Sequence, residues 1–121
     1  MADFRKLEVW RKAHGLMLEV HALARDIRGS TYLSLKSQMI RAAMSIPANI
    51  VEGREQRTDK EFSRFLGYAK SSASELEYHL VVVQDIGVGP EAKTRRVIQK
   101  VIQVCKMLIG LQKRLDGGAD E

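Results

Sequence analysis

The chain has one cysteine, two prolines and only 6% aromatic residues across 121 positions. Each shortage removes a class of protein. Cys105 alone permits no internal disulfide, which excludes a disulfide-stapled scaffold and fits a reducing compartment. Scarce proline and aromatic residues argue against a disordered chain and against a β-sandwich. No apolar run approaches the roughly 18 residues that cross a bilayer, and the first residues do not combine a basic start with a long apolar stretch. The expectation is a soluble, cytoplasmic protein with no membrane partner.

What is present favours helix. Hydrophobic residues make up 45% and charged residues 29%, and the content of Leu, Ala, Lys, Arg, Glu and Gln favours helix. A chain of this length buries about two-thirds of its unfolded surface as one domain and is too short for two, so 1–121 reads as a single domain.

Four amphipathic segments follow. Leu7, Trp10, Met17, Val20, Ala24 and Ile27 recur at helical spacing and predict a helix over 6–28, ended by Gly29 and Ser30. A second helix spans 33–52 and is expected to stop at Gly53. Thr58 or Asp59 caps a third, 59–86, whose apolar face runs from Phe62 to Val83. The sequence Gly87 to Pro90 stops it and admits a fourth, 91–115. Short connections between long helices predict an all-α, antiparallel, up-down-up-down four-helix bundle.

The fourth helix has two apolar seams. Val97, Val101, Val104, Leu108, Leu111 and Leu115 form one, and Ile98, Ile102, Cys105 and Ile109 repeat it one residue later. One seam suffices for an isolated bundle. The second meets either another subunit or the interior of the same monomer, and the pattern leaves both open.

The second helix carries a polar series. Gln38, Arg41, Ser45, Asn49 and Glu52 step by three or four residues and share one face, a solvated surface or a packed polar network. Pro47 lies among them without an amide to bond Ala43, so the helix is expected to kink or restart there, with Ser45 able to cap the restart.

At these residues the chain resembles the bacterial family known as four-helix-bundle proteins, or 23S rRNA intervening-sequence proteins. The family pattern Phe-x-x-Leu-x-x-Trp-x-x-Ala is met by Phe4, Leu7, Trp10 and Ala13. Its core, Gln-x-x-Arg-Ala-x-x-Ser-Ile-Pro-x-Asn-Ile-x-Glu-Gly, is met by Gln38, Arg41, Ala42, Ser45, Ile46, Pro47, Asn49, Ile50, Glu52 and Gly53. Phe62, Phe65, Leu66, Ala69, Ser72, Glu75 and Leu76 match the third-helix element, and the likeness thins over the fourth helix. Val51 stands where the family often has alanine. The resemblance implies a bundle that assembles with itself into a ring-like homo-oligomer, associated in the family with pentamers. It also implies a link to inserts in large-subunit ribosomal RNA genes. A more distant likeness is to the accessory variability determinant of diversity-generating retroelements, which engages nucleic acid and a reverse transcriptase.

No catalytic constellation is evident. His14 and His21, seven residues apart on one helix, are separated by roughly 10 Å and do not share one metal ion. They fit a core margin beside Trp10 and Met17. Paired Glu-x-x-His motifs are missing, as are an Arg and His at ribonuclease spacing and a Gly-rich phosphate loop. Ser71, Ser72 and Ser74 read as small packing residues. Neither an enzyme nor a cofactor is expected.

Charge is segregated. The formal charge is +5; Ser71 to Ala92 contains no Lys or Arg, whereas Ala92 to Leu115 contains seven basic residues and no acid. Arg95, Arg96, Lys100, Lys106 and Lys113 are therefore the candidate phosphate contacts, with Arg96, Lys100, Gln103 and, less squarely, Lys106 on one stripe. The expected function is a non-enzymatic oligomer binding RNA or DNA with weak sequence preference. Few aromatics are free for base stacking except Tyr32, Tyr68 or Tyr78. Its rivals are a protein-interaction scaffold without nucleic-acid binding, in which the basic helix pairs with Glu75, Glu77 or Asp85 of its own or a neighbouring subunit or meets another protein partner, and an accessory subunit to a nucleic-acid enzyme.

Overall fold

The computed structural model describes residues 3–117. Helices α1 (Glu8–Asp26), α2 (Leu33–Arg54), α3 (Asp59–Ile86) and α4 (Glu91–Leu115) account for most of them, and no strand occurs among the described residues. Each helix packs on its chain neighbour, α1 closes on α4, and among the described residues the diagonal pairs make no close backbone approach. Ser45 meets Ser72 while Gly53 meets Phe62, and Asp26 meets Lys93 while Glu19 meets Lys100, so these neighbours run antiparallel.

The core follows the predicted stripes on α3 and α4, whereas on α1 Leu16 and Leu23 join Val20 in the core and the predicted Leu7, Trp10 and Met17 stay half-buried at its edge. Leu16, Val20 and Leu23 of α1, Met39, Ile46 and Ile50 of α2, Leu66, Leu76 and Leu80 of α3, and Val97, Val101, Val104 and Leu108 of α4 are at most 1% exposed. Each such side chain contributes about 1.5–3 kcal/mol relative to exposure. Every buried side-chain polar atom among the described residues has a hydrogen-bond partner.

Helix ends follow local chemistry. A 3-10 turn, Phe4–Lys6, precedes α1, and the Asp3 carboxylate accepts from the Arg5 amide at 3.0 Å. The helix ends at Asp26, earlier than expected. Ile27 turns extended and buries its side chain, while its carbonyl accepts from Lys36 Nζ at 2.7 Å. Thr58 Oγ1 caps α3 by accepting from the Glu61 amide at 3.2 Å. Gly87, at φ +77°, ends that helix by donating to Val83, a conformation that strains other residues.

Two expectations about α2 are corrected. Gly53 is not its stop: the helix runs on to Arg54, and Gly53 is buried against α3. A Cβ there would lie 2.8 Å from Phe62 Cδ1 and 2.9 Å from Phe65 Cβ, so glycine is required by close helix approach. Pro47 does not restart the helix. It is buried within an unbroken run, and Ser45 bonds to α3 instead of capping a new first turn.

The seams of α4 part company. Val97 to Leu108 is core, whereas Ile98, Ile102 and Cys105 are half-buried and Ile109 is 36% exposed. The second seam thus follows the outer flank of the α3–α4 contact and is not deeply embedded in the monomer.

Candidate nucleic-acid interface

At about 100° per residue, the basic residues of α4 divide between two faces. Arg95, Lys106 and Lys113 fall within roughly 20° of one another on the outer surface, and all three are exposed. Arg96 and Lys100 instead turn towards α1. Lys106 lies about 120° around the helix from Lys100, so the single stripe read from sequence is two.

The partners of this basic block come from α1. Arg96 Nη2 is 3.2 Å from Glu19 Oε1, Lys100 Nζ bonds Glu19 Oε2, and Lys93 Nζ lies 2.8 Å from Asp26 Oδ2. That bonded ammonium holds the Asp26 carboxyl below its ordinary value. Pairing of this block with the acids of α3 is not found among the described residues. Glu75 faces His79 at 3.4 Å, Asp85 has no ion pair among the described residues, and Glu77 lies near Cys105. Arg95 makes only a loose contact with Glu91 at 3.7 Å, and Lys106 and Lys113 have no ion pair among the described residues.

The seam between α1 and α4 is less closely packed than α1–α2, α2–α3 or α3–α4. Two recesses open along it. One is lined by Leu7, Val9, Met107, Gly110 and Leu111, with Glu8 and Arg114 at its edge. The other is polar, lined by Arg11, Lys12, Gly15, Glu19, Lys100 and Gln103 over Leu16 and Val104. Sequence reasoning missed the α1 wall of this groove. Its signal was available: Glu8, Lys12, Gly15, Glu19 and Asp26 recur at helical spacing on one face of α1.

The polar face of α2 is only partly a network. Ser45 Oγ is 2.8 Å from Ser72 Oγ, and Asn49 Nδ2 donates to the Ser45 carbonyl at 2.8 Å and to its Oγ at 3.0 Å. Gln38 donates to Ser34 at 3.1 Å. Arg41 and Glu52 are exposed in the single chain; the Glu52 carbonyl accepts from Gln56. Gln38, Arg41 and Ser45 nevertheless line one open recess with Ser72 and Glu75.

The remaining candidates are separate. His14 stacks on Trp10, ring centroids 4.8 Å apart, at the predicted core margin, and His21 is exposed. No three His, Cys, Asp or Glu among the described residues stand close enough to hold one metal ion. Tyr68 and Tyr78 are exposed on α3, and Arg64 lies over the Tyr68 ring while donating to its hydroxyl at 2.7 Å. Tyr32 packs at the core edge. None of the three lines the α1–α4 groove.

Comparison with known proteins relates the chain to a family and to a solved structure. A family model described as 23S rRNA-intervening sequence protein matches residues 5–110. A crystal structure of a protein of unknown function from the S23 ribosomal protein family of Bacteroides thetaiotaomicron superposes with a TM-score of 0.81. It is 22% identical, over 87% of this chain and 98% of that chain, a likeness that speaks for the fold. No curated protein matches this sequence.

Proposed function

This chain belongs to the 23S rRNA-intervening sequence protein family, and from that premise we propose that it is a non-enzymatic bundle binding nucleic acid, RNA in the first place, as a ring-like homo-oligomer. The supporting observation is the basic surface of α4. Arg95, Lys106 and Lys113 stand exposed, and the three pair with no acid outside their own helix among the described residues. Exposed cations of this kind attract phosphates and release counterions on binding. Assembly is supported by the second seam, Ile98, Ile102, Cys105 and Ile109, an apolar strip only partly covered in the single chain. A ring repeats the basic surface around its circumference and multiplies weak contacts into useful avidity. The pentamer associated with the family is the assembly proposed.

The test is a titration of single- and double-stranded RNA and DNA at several salt concentrations, with particle mass measured alongside. Affinity is expected to fall steeply with salt and to depend little on sequence. Replacing Arg95, Lys106 and Lys113 by glutamine should weaken binding and shrink the salt slope by about 0.7–0.9 for each phosphate no longer neutralised. No binding at low salt would overturn this reading in favour of a protein-interaction scaffold.

A further inference from the structure

Glu19 occupies an unusual place in the α1–α4 groove. Both its carboxylate oxygens are engaged by cations of the opposite helix, Oε1 by Arg96 at 3.2 Å and Oε2 by Lys100. Two cations converging on two oxygens of one anion is the arrangement that a backbone phosphate, with its two free oxygens, would also satisfy. Arg11 and Lys12 stand on the α1 wall of the same recess.

We infer that this groove is a phosphate track and that Glu19 is its internal competitor, holding Arg96 and Lys100 until a nucleic-acid phosphate displaces it. The inference rests on the nucleic-acid reading above and adds two things to it: a second wall, Arg11 and Lys12, and a gate.

Relative exposures decide whether displacement is feasible. The Arg96 and Lys100 side chains are 62% and 44% exposed, and such solvent-screened pairs contribute little to stability. A weakly held competitor yields easily to a polyanion that offers many phosphates at once. Glu19 itself is 22% exposed and so stays within the groove, ready to re-engage. Lys12 has no ion pair among the described residues, and Arg11 is held only by Glu8 at 3.3 Å and the Arg5 carbonyl at 3.2 Å.

The floor of the groove fits the same occupant. Gly15 lies inside α1, where glycine is disfavoured, yet apart from its own turn of helix no described residue comes within 4 Å of a Cβ placed there. Internal packing does not require this glycine, and the bare backbone leaves the recess open. The recess, about 110 Å³ and open to solvent, has room for a phosphate between its two walls. No aromatic ring lines it, consistent with contacts to backbone and not to sequence.

Glu19→Gln tests the inference, because it keeps shape and helix propensity while freeing both cations. Binding to single-stranded and hairpin RNA is measured across a salt series for the wild type, Glu19→Gln and Asp85→Asn. The last removes the same charge from an exposed, unpaired site at the far end of α3. Glu19→Gln should bind roughly three- to tenfold more tightly at low salt, with a salt slope steeper by about one to two phosphates; Asp85→Asn should change little. The gain should vanish when Arg96 and Lys100 are also glutamine, and Lys12→Gln should weaken binding. Equal gains from Glu19→Gln and Asp85→Asn, no gain at all, or a gain that survives replacement of Arg96 and Lys100 would each overturn the competitor role. If the wild type still binds in those cases, and weakens when Arg95, Lys106 and Lys113 are replaced, the nucleic-acid reading stands. Silence from every variant at low salt overturns both. Far-UV circular dichroism on each variant establishes that the bundle is intact; an unfolded Glu19→Gln would itself contradict the weak pairing on which displacement depends.

Discussion

Ser45 and Ser72 meet hydroxyl to hydroxyl at 2.8 Å across the α2–α3 contact, and the Asn49 amide donates to the same Ser45 oxygen at 3.0 Å. One small side chain therefore links two helices and fixes a third residue. Ser45→Ala is expected to cost about 1 kcal/mol in urea unfolding, since it strands the half-buried Ser72 hydroxyl and leaves Asn49 only its bond to the Ser45 carbonyl. Ser72→Ala should cost less, and the double variant less than the sum.

Glycines in this bundle should respond in opposite directions to alanine. At Gly53 a methyl group would press on Phe62 and Phe65 at under 3 Å, so Gly53→Ala should destabilise by about 1–3 kcal/mol. At Gly15 no described residue outside its own turn of helix lies within 4 Å, and Gly15→Ala should stabilise the folded chain by up to about 1 kcal/mol through helix propensity alone. Urea midpoints of the two variants against the wild type check both signs.

Assembly should depend on the outer seam of α4. Ile102→Gln together with Ile109→Gln leaves net charge unchanged and spares the fully buried Val97, Val101, Val104 and Leu108. Light scattering at micromolar concentration should show more than a dimer for the wild type and a smaller particle, still helical, for the double variant. A wild-type monomer would defeat the oligomer proposal.

The thiol of Cys105 should titrate above its ordinary range, because burial disfavours the thiolate and the nearby Glu77 carboxylate adds to the effect. A raised folded value means that the neutral thiol is favoured in the fold. The associated stability is complete below the ordinary thiol range and lost as pH rises through the higher folded value. Alkylation by iodoacetamide at mildly alkaline pH should be slower than for free cysteine, and Glu77→Gln should speed it.

Much of the fold was legible because apolar periodicity states which face of a helix is dry. The limits of α3 and α4 and their buried stripes follow from that pattern with Thr58, Gly87 and Pro90 as punctuation, whereas on α1 the buried face includes Leu16 and Leu23 and leaves Leu7, Trp10 and Met17 at its margin. Gly53 was misread because a glycine near a helix end signals a stop, and only the three-dimensional approach of Phe62 shows that it marks a contact. The basic block of α4 was equally legible as a block, but its partners were not. Charge segregation between adjacent segments suggested α3, whereas the distances select Glu19 and Asp26 of α1, brought close only when the first helix closes on the last. Arg11 and Lys12 escaped notice for the same reason: a groove has two walls, and helix periodicity describes one at a time.

The closing of α1 on α4 also separates helix content from competence. Every other side of the bundle joins helices that a short loop already tethers, whereas this side joins segments whose bonded pairs span 67 to 81 residues, from Asp26 with Lys93 to Glu19 with Lys100. Closing so long a span carries the larger entropy cost and gains less packing than the tethered sides. Opening of this side is therefore the cheapest excursion from the native state, and amide protons at the α1–α4 edge should exchange before those buried between α2 and α3. A chain in that state keeps nearly all its helix and lacks a groove altogether.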